Sequence, residues 1–272
     1  MQPWLHFTGL GAAVGRLARR PRPRGRVKPS VFWGAVCEVS RLLGREVMNR
    51  LSTTETTSPR FPGYVVVEGP IGVGKSSLAR RLAQSFDCEM LLEQPEENPF
   101  LERFYRSRKQ YALPTQLFFL FQRARQLQSY RQGDLFNPLR VSDFLLEKDA
   151  LFARVNLDDD EYRLYQQVYT QLSPDIPVPN LVIYLQAPVD VLIDRIRRRG
   201  VDYEQMIEPR YLAQLVDAYS RLFLTYNSSP LLIINAAEIN FVDNDNDYET
   251  LLGYILNVRT GRHFFNPLSK SA

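Results

Sequence analysis

Histidine is scarce in this sequence: only His6 and His263 occur, one near each end of the chain. This scarcity argues against a histidine-based triad or a histidine-rich metal site, so a general base is predicted to be a carboxylate. The two cysteines, Cys37 and Cys88, are too few for a disulfide framework and fit a reducing, cytoplasmic compartment. The longest apolar run, residues 117–121, is far shorter than the ~20 residues of a transmembrane helix, so no membrane partner is predicted.

Positive charge is concentrated at the head of the chain. The 272 residues carry a net charge of +4, but residues 1–47 alone contain nine Lys and Arg against two Glu. The remaining 225 residues hold 25 basic and 28 acidic side chains. This body lacks the excess of positive charge that general nucleic-acid binding needs, and we expect no nucleic-acid partner.

Residues 1–62 differ in composition from the rest and are predicted to be a disordered basic extension followed by a linker. Residues 19–26 alternate proline with charge, and residues 52–59 have the composition of a flexible linker. One interpretation is that translation starts at Met48; the alternative is that the arginine-rich, acid-poor head is an organelle transit peptide. The globular domain is predicted to span residues 63–265.

From residue 63 onwards, short β-branched runs alternate with longer helical segments. This alternation predicts an α/β fold with a parallel, doubly wound sheet, because parallel strands need helical crossovers between them. The five predicted strands are 64–68, 89–92, 139–142, 181–185 and 231–234. The predicted helices are 75–85, 114–130, a stretch from about 147, 158–172, 189–199, 211–225 and 248–258.

A phosphate-binding loop joins the first predicted strand to the first predicted helix. Gly69–Ser76 matches the pattern G-x-x-x-x-G-K-[ST] in full and lies in the strand-to-helix context that this motif requires. Backbone N–H groups would cradle phosphate oxygens, Lys75 would reach the β- and γ-phosphates, and Ser76 would hold Mg²⁺. The predicted cofactors are therefore ATP and Mg²⁺, and the predicted nucleotide-binding residues are Gly69, Pro70, Ile71, Gly72, Val73, Gly74, Lys75, Ser76 and Ser77.

The acceptor of the phosphoryl group has to be sought elsewhere in the sequence. The sequence contains no N-K-x-D segment, which a GTPase would need to recognise its base. It also contains no hydrophobic strand ending in Asp-Glu, which a motor or transport ATPase would usually show. A small-molecule kinase remains, with its acceptor pocket at the carboxyl edge of the sheet. Glu93 directly follows the second predicted strand at that edge, so it is the candidate general base for a hydroxyl acceptor, although a solvated loop charge is the alternative.

The sequence resembles the deoxynucleoside kinase family, most closely its bacterial branch, from about Tyr64 to the C-terminal helix. The elements that carry the resemblance are the phosphate loop, Glu93-Gln-Pro95, Tyr105 with Gln116 and Arg123, Asp143 to Asp149, and Arg195 to Gln205. The resemblance implies a P-loop NTPase-type three-layer fold with a helical LID and a homodimer. It also implies ATP-dependent phosphorylation of the 5′-hydroxyl of a deoxynucleoside in nucleotide salvage, with a purine favoured or several bases accepted.

The resemblance also implies roles for individual residues. Glu93 would be the catalytic base, Tyr105 and Glu204 would bind the sugar 3′-hydroxyl, and Gln116, Arg123 and Asp149 would read the base. Gln116 and Arg123 stand seven residues apart, two turns on one helix face, where a solvated face is the alternative interpretation. The remaining assignments are Asp143 as a Mg²⁺ or water ligand, and Lys75, Arg195 and Arg199 as cations at the transferring phosphoryl group, with a structural role open for the two arginines.

Two positions depart from the family pattern. Phe144 stands where the family usually has an arginine after an acidic residue, and Val201 occupies a LID position that often carries arginine. Lys148 is the candidate to supply the missing positive charge. Two other functions stay open: a nucleoside monophosphate kinase of the thymidylate kinase type, and a non-catalytic nucleotide-binding homologue.

Overall fold

The structure of this protein is a computed structural model that describes residues 63–132, 139–172 and 177–267. The predictions for residues 1–62, including a start at Met48 or a transit peptide, lie outside the described residues. Within the described ranges, no helix is long and apolar enough to cross a membrane.

A single parallel sheet forms the centre of the fold. Its strands pair in the order β2-β3-β1-β4-β5-β6, and each pair of neighbours is parallel. The strands are β1 (Tyr64–Glu68), β2 (Glu89–Leu91), β3 (Arg140–Ser142), β4 (Leu181–Gln186), β5 (Leu231–Asn235) and β6 (Arg262–Phe265).

Eight α-helices of the described residues surround this sheet. They are α1 (Lys75–Phe86), α2 (Leu101–Arg106), α3 (Arg108–Gln132), α4 (Glu147–Asn156), α5 (Asp159–Leu172), α6 (Val189–Arg199), α7 (Pro209–Thr225) and α8 (Asp245–Ile255). Two 3₁₀ turns, Pro95–Glu97 and Asp202–Met206, follow β2 and α6.

The two faces of the sheet pack against different helices, which produces three layers. Successive side chains of a strand point to opposite faces. Val65 and Val67 accordingly pack with apolar residues of α1, α6 and α8. Tyr64 and Val66 pack on the other face with residues of α2, α3, α4 and α7. The predicted α/β architecture and its parallel sheet are therefore confirmed.

The prediction of five strands was one strand short. The sixth strand, Arg262–Phe265, pairs in parallel with β5 at the edge of the sheet. It is only four residues long, and the Phe264 side chain is 65% exposed. A short edge strand of this kind is defined by pairing with a segment thirty residues earlier, which leaves a weak local pattern in the sequence.

Three helices begin earlier than predicted. The helix predicted from Pro114 begins at Arg108 and runs through the proline, although proline usually marks a helix start or a kink. The last helix begins at Asp245 because the Asn244 side chain caps it by accepting from the N–H groups of Asn246 and Asp247. The helix predicted from Tyr211 begins two residues earlier. By contrast, both ends of the helix 189–199 are as predicted.

Candidate active site

The phosphate loop lies between β1 and α1, as its motif requires. Gly72 and Gly74 have φ angles of +85° and +105°, which side chains with a Cβ rarely adopt. A Cβ on Gly69 would stand 2.5 Å from the carbonyl oxygen of Leu185 in β4. The glycines therefore allow the loop to turn closely over the sheet, and Lys75 Nζ donates a hydrogen bond of 3.2 Å to Pro70 O within it.

A cavity of about 140 Å³ brings together most of the predicted site residues at the carboxyl edge of the sheet. It extends from the phosphate loop to the LID segment and the long helix α3. Among the predicted site residues its lining contains Ile71, Gly72, Lys75, Ser76, Glu93, Tyr105, Gln116, Arg123, Asp143, Arg199 and Glu204. A larger groove of about 570 Å³ lies against α7, β5 and β6, and Pro70 is the one predicted site residue in its lining. The chemistry-bearing side chains thus converge in the smaller cavity.

The backbone around Glu93 is held by side chains of the long helix. Gln126 donates a hydrogen bond of 3.1 Å to Leu92 O, and Gln122 donates one of 3.2 Å to Gln94 O. The Glu93 N–H in turn donates a hydrogen bond of 2.8 Å to Asp143 Oδ1. Side chains of helix α3 and of Asp143, which follows β3, thus fix the backbone that carries the Glu93 carboxylate.

Two cations contact the Glu93 carboxylate. Arg123 Nε donates to Glu93 Oε1 at 2.7 Å, and Lys148 Nζ lies 2.8 Å from the same oxygen. Burial by itself would raise the pKa of Glu93, but the attraction of Arg123, Lys148 and Lys75 outweighs it and holds the pKa well below its ordinary value. Glu93 is therefore ionised at neutral pH.

Arg123 also contacts a second carboxylate, that of Asp149, which is fully buried. Burial raises the pKa of Asp149 to about 6, while Arg123 and Lys148 oppose the rise. Gln116, 3% exposed, lines the same cavity as Arg123, and the Phe119 ring lies 4.9 Å from the Arg123 guanidinium. The Gln116 amide and the Arg123 guanidinium thus line the cavity, and the Asp149 carboxylate lies behind them as a buried partner of Arg123. Together the three groups comprise both donors and acceptors.

Tyr105 and Glu204 reach the same cavity from different segments. Tyr105 lies in α2, and Glu204 lies in the 3₁₀ turn that follows α6. The Tyr105 ring stacks on Tyr203 with centroids 6.1 Å apart, and Arg199 Nη2 pairs with Glu204 Oε2 at 2.5 Å. Burial, with the nearby Tyr211 and Glu204, raises the pKa of Tyr105, which therefore stays protonated and able to donate a hydrogen bond.

Ser76 and Asp143 form the one pair of predicted metal ligands. The Ser76 hydroxyl donates a short hydrogen bond to Asp143 Oδ2. A hydroxyl and a carboxylate suit Mg²⁺, which prefers oxygen ligands and usually takes one or two protein ligands besides phosphates and water. No cluster of three or more His, Cys, Asp or Glu that could hold a metal occurs in the described residues. The donor set therefore fits a metal bound together with a nucleotide.

Two of the predicted site residues outside the phosphate loop, Arg195 and Asp149, are not in the lining of this cavity. The Arg195 guanidinium donates hydrogen bonds of 3.1 Å to Val73 O and 2.7 Å to Ala236 O. Arg195 thus ties the phosphate loop to the segment that follows β5. Of the two predicted LID arginines, Arg199 lines the cavity.

Phe144 and Lys148 face different surroundings. The Phe144 side chain is fully buried in an apolar cluster with Leu120 and Tyr165. Lys148, on the first turn of α4, lines the cavity. Burial lowers the pKa of Lys75, and the positive charge of Lys148 lowers it further.

Several cavity residues had no signal in the sequence. Phe119, Phe152, Tyr211 and Tyr219 line the cavity, but in the sequence they are indistinguishable from other aromatic residues on helices. Glu68 is fully buried and accepts hydrogen bonds from three groups. Glu68 is not in the cavity lining, and the signal for it in the sequence was an acidic side chain at the end of an apolar strand.

Comparison with known proteins places the chain in a family. The family described as "Deoxynucleoside kinase" matches residues 65–258. A deoxyguanosine kinase from Bacillus subtilis (strain 168) is 32% identical over 197 residues, which are 71% of this chain and 95% of the relative. A deoxyadenosine kinase from Lactobacillus acidophilus is 31% identical over 202 residues, with 69% of this chain and 92% of the relative covered.

A solved structure agrees at the level of the fold. The structure of a deoxyadenosine kinase from M. mycoides with bound dATP has a TM-score of 0.62 at 24% identity and covers 71% of this chain and 98% of that chain. The P-loop NTPase-type fold and the resemblance found in the sequence are thus confirmed. This chain belongs to the deoxynucleoside kinase family.

Proposed function

We propose that this protein transfers the γ-phosphoryl group of ATP to the 5′-hydroxyl of a deoxynucleoside, giving the 5′-monophosphate and ADP for nucleotide salvage. Membership of the deoxynucleoside kinase family supports a phosphotransferase. The observation that carries the proposal is the shared cavity: Lys75 of the phosphate loop, the ionised Glu93 and the Gln116–Arg123 pair all line it. A substrate bound in this cavity can therefore contact the phosphate loop, the proposed general base and the proposed nucleoside pocket.

In the proposed reaction, Glu93 accepts the proton of the 5′-hydroxyl as that oxygen attacks the γ-phosphorus in line. The new oxygen–phosphorus bond forms while the bond to the β–γ bridging oxygen breaks, and ADP leaves. Lys75 and Arg199 are the cations of the cavity lining that can offset charge on the transferring group. The proposed base lies in a partly buried site, where reduced solvation strengthens each of these electrostatic interactions.

Ser76 and Asp143 are the residues that we propose to hold Mg²⁺. Their oxygens already meet in a hydrogen bond beside the phosphate loop. The ion would supply charge neutralisation between the β- and γ-phosphates. Because burial and the neighbouring Glu93 raise the pKa of Asp143, a cation at this position would also favour its ionised form.

The nucleoside would lie with its base toward Gln116, Arg123 and Asp149 and its 3′-hydroxyl toward Tyr105 and Glu204. This set of donors and acceptors suits the edge of a nucleobase. A purine deoxynucleoside is the favoured substrate, in line with the names of the relatives, which are deoxyguanosine and deoxyadenosine kinases.

We also propose a homodimer located in the cytoplasm. Phe121 of α3 and Leu164 of α5 are 45% and 48% exposed, on two helices that pack against each other. We propose that these two exposed apolar side chains lie in the dimer interface. The free thiol of Cys88 is compatible with a reducing compartment.

The proposed function is tested by phosphate transfer from Mg-ATP to each of the four deoxynucleosides, with dTMP and dCMP alongside. We expect turnover of at least one purine deoxynucleoside. Turnover of a monophosphate alone would identify a nucleoside monophosphate kinase instead. ATP binding without turnover of any of the six would identify a non-catalytic homologue.

A further inference from the structure

Lys148 lies between two carboxylates in the interior. Its ammonium nitrogen is 2.8 Å from Glu93 Oε1 and 3.9 Å from Glu68 Oε2, and the side chain is 2% exposed. A lysine is rarely buried to this extent unless its charge is paired. The position of Lys148 is therefore determined by these two partners.

Glu68 is the fixed partner of the two. Its Oε1 accepts hydrogen bonds of 2.9 Å from the Gly69 N–H and from the Tyr219 hydroxyl, and its Oε2 accepts one of 2.8 Å from the Leu145 N–H. Because these bonds immobilise the carboxylate at the end of β1, Glu68 provides a rigid anchor for the Lys148 ammonium. The ammonium can then hold the more accessible Glu93, whose side chain is 19% exposed.

Both cations that contact the Glu93 carboxylate do so at the same oxygen. Arg123 and Lys148 contact Oε1, whereas Oε2 accepts no hydrogen bond from any residue that the structure describes. The Glu93 backbone is separately held by Asp143. This arrangement fixes one carboxylate oxygen and leaves the other available to a hydroxyl in the cavity.

The two cations differ in their other partners. Arg123 also pairs with Asp149 and belongs with it to the proposed base-reading set, so a bound nucleobase would compete with Glu93 for its donors. Both carboxylates that Lys148 contacts lie outside the proposed base-reading set. Lys148 can therefore keep Glu93 in place when Arg123 turns to the base.

We propose that Lys148 is a positioning residue for Glu93, an inference that rests on the proposed function. It acts through Glu93: it holds Oε1 and so aims Oε2 at the acceptor hydroxyl during transfer. Loss of Lys148 should then slow the chemical step and leave substrate binding intact. Arg123 should show the opposite pattern, because it contacts the nucleoside.

The test compares the full-length unchanged protein with Lys148→Met and Lys148→Arg by measuring kcat and both KM values for ATP and the best deoxynucleoside. Lys148→Met should lower kcat by up to about 100-fold, the loss that a displacement on the order of 1 Å produces, with both KM values unchanged. Lys148→Arg, which keeps the charge, should recover much of the lost kcat. Lys109→Met is the matched control, since Lys109 is exposed on α3.

An unchanged kcat in Lys148→Met, a loss confined to KM, or no recovery in Lys148→Arg would overturn the assignment. A Lys148→Met protein that no longer melts cooperatively would also overturn it, because Lys148 would then be required for folding. Failure of the proposed function is seen separately: the unchanged protein would turn over no deoxynucleoside before any variant is compared.

Discussion

Arg123 Nε donates a hydrogen bond of 2.7 Å to Glu93 Oε1, so the residue proposed to read the base touches the residue proposed to take the proton. The same guanidinium pairs with the buried Asp149. The residues proposed for nucleoside recognition and for general-base catalysis therefore share one charged network. Its members can be separated by variants that change one contact at a time.

Glu93→Gln should abolish most of the activity and leave nucleotide binding intact. The amide cannot accept the hydroxyl proton, and a positioned general base contributes about 10²- to 10⁴-fold to rate. The measurement is kcat together with ATP affinity by calorimetry. Glu102→Gln, on the exposed surface of α2, is the control. Retention of full kcat in Glu93→Gln would remove Glu93 from the mechanism.

Arg123→Lys should change the choice of nucleoside. Lysine keeps the positive charge between Glu93 and Asp149 but loses the planar fork of donors that a base edge requires. We expect a higher nucleoside KM and a new ranking of the four deoxynucleosides, with the ATP KM unchanged. Arg125→Lys on the exposed face of the same helix should behave like the unchanged protein. The same ranking in both variants would contradict the base-reading role.

Arg195→Met should weaken ATP binding. The guanidinium holds the carbonyl groups of Val73 and Ala236 by hydrogen bonds, and each bond of a charged donor contributes about 1.5–3 kcal/mol. Its loss frees the phosphate loop, so the ATP KM should rise while the nucleoside KM stays constant. Arg198→Met is the control, because Arg198 lies in the last turn of α6 and is exposed. Equal ATP KM values in the two variants would show that Arg195 does not support the loop.

The pH dependence of stability should report on Glu93. Because its folded-state pKa lies below the usual 4.5, the ionised carboxylate contributes stability above pH of about 4.5, and this contribution is lost as the pH falls toward the folded-state pKa. Glu93→Gln lacks this contribution, so its free energy of unfolding should fall less steeply below pH 4.5 than that of the unchanged protein. Urea unfolding at a series of pH values measures both slopes. Parallel curves would mean that the ion pairs of Glu93 add nothing to stability.

Phe121→Glu should convert a dimer into a monomer. A charge introduced at the exposed Phe121 would be desolvated in the proposed dimer interface. Light scattering coupled to size exclusion gives the mass of each form. Leu224→Glu, on α7 and 71% exposed, is the matched control and should leave the mass unchanged. A monomer already present in the unchanged protein would exclude the proposed dimer.

Local patterns in the sequence were sufficient to predict the phosphate loop and most of the helices and strands. Residues 64–76 combine a buried strand, a glycine-rich turn and a helix start within one short segment. The seven-residue spacing of Gln116 and Arg123 likewise placed both on one face of a helix, and both line the cavity. Such features depend on backbone geometry over a few residues, which a single sequence records directly.

Other features depended on contacts between distant segments. The strand β6 exists because residues 262–265 pair with β5, and the direction of Arg195 is decided by the carbonyls of Val73 and Ala236. Neither pairing has a signature at the residue itself. Sequence spacing therefore could not separate Arg199, which lines the cavity, from Arg195, which supports the phosphate loop.

By itself, the sequence determined the fold class and the phosphate loop, because these follow from short-range periodicity, and its scarcity of histidine predicted a carboxylate base. The tertiary structure alone decided which cations contact the proposed base, Glu93. The Phe144 side chain packs in the apolar cluster beside α3. The Lys148 ammonium instead lies between the carboxylates of Glu68 and Glu93. The reason is that a buried charge adopts the position in which distant partners compensate its lost hydration, and those partners are assembled only by folding.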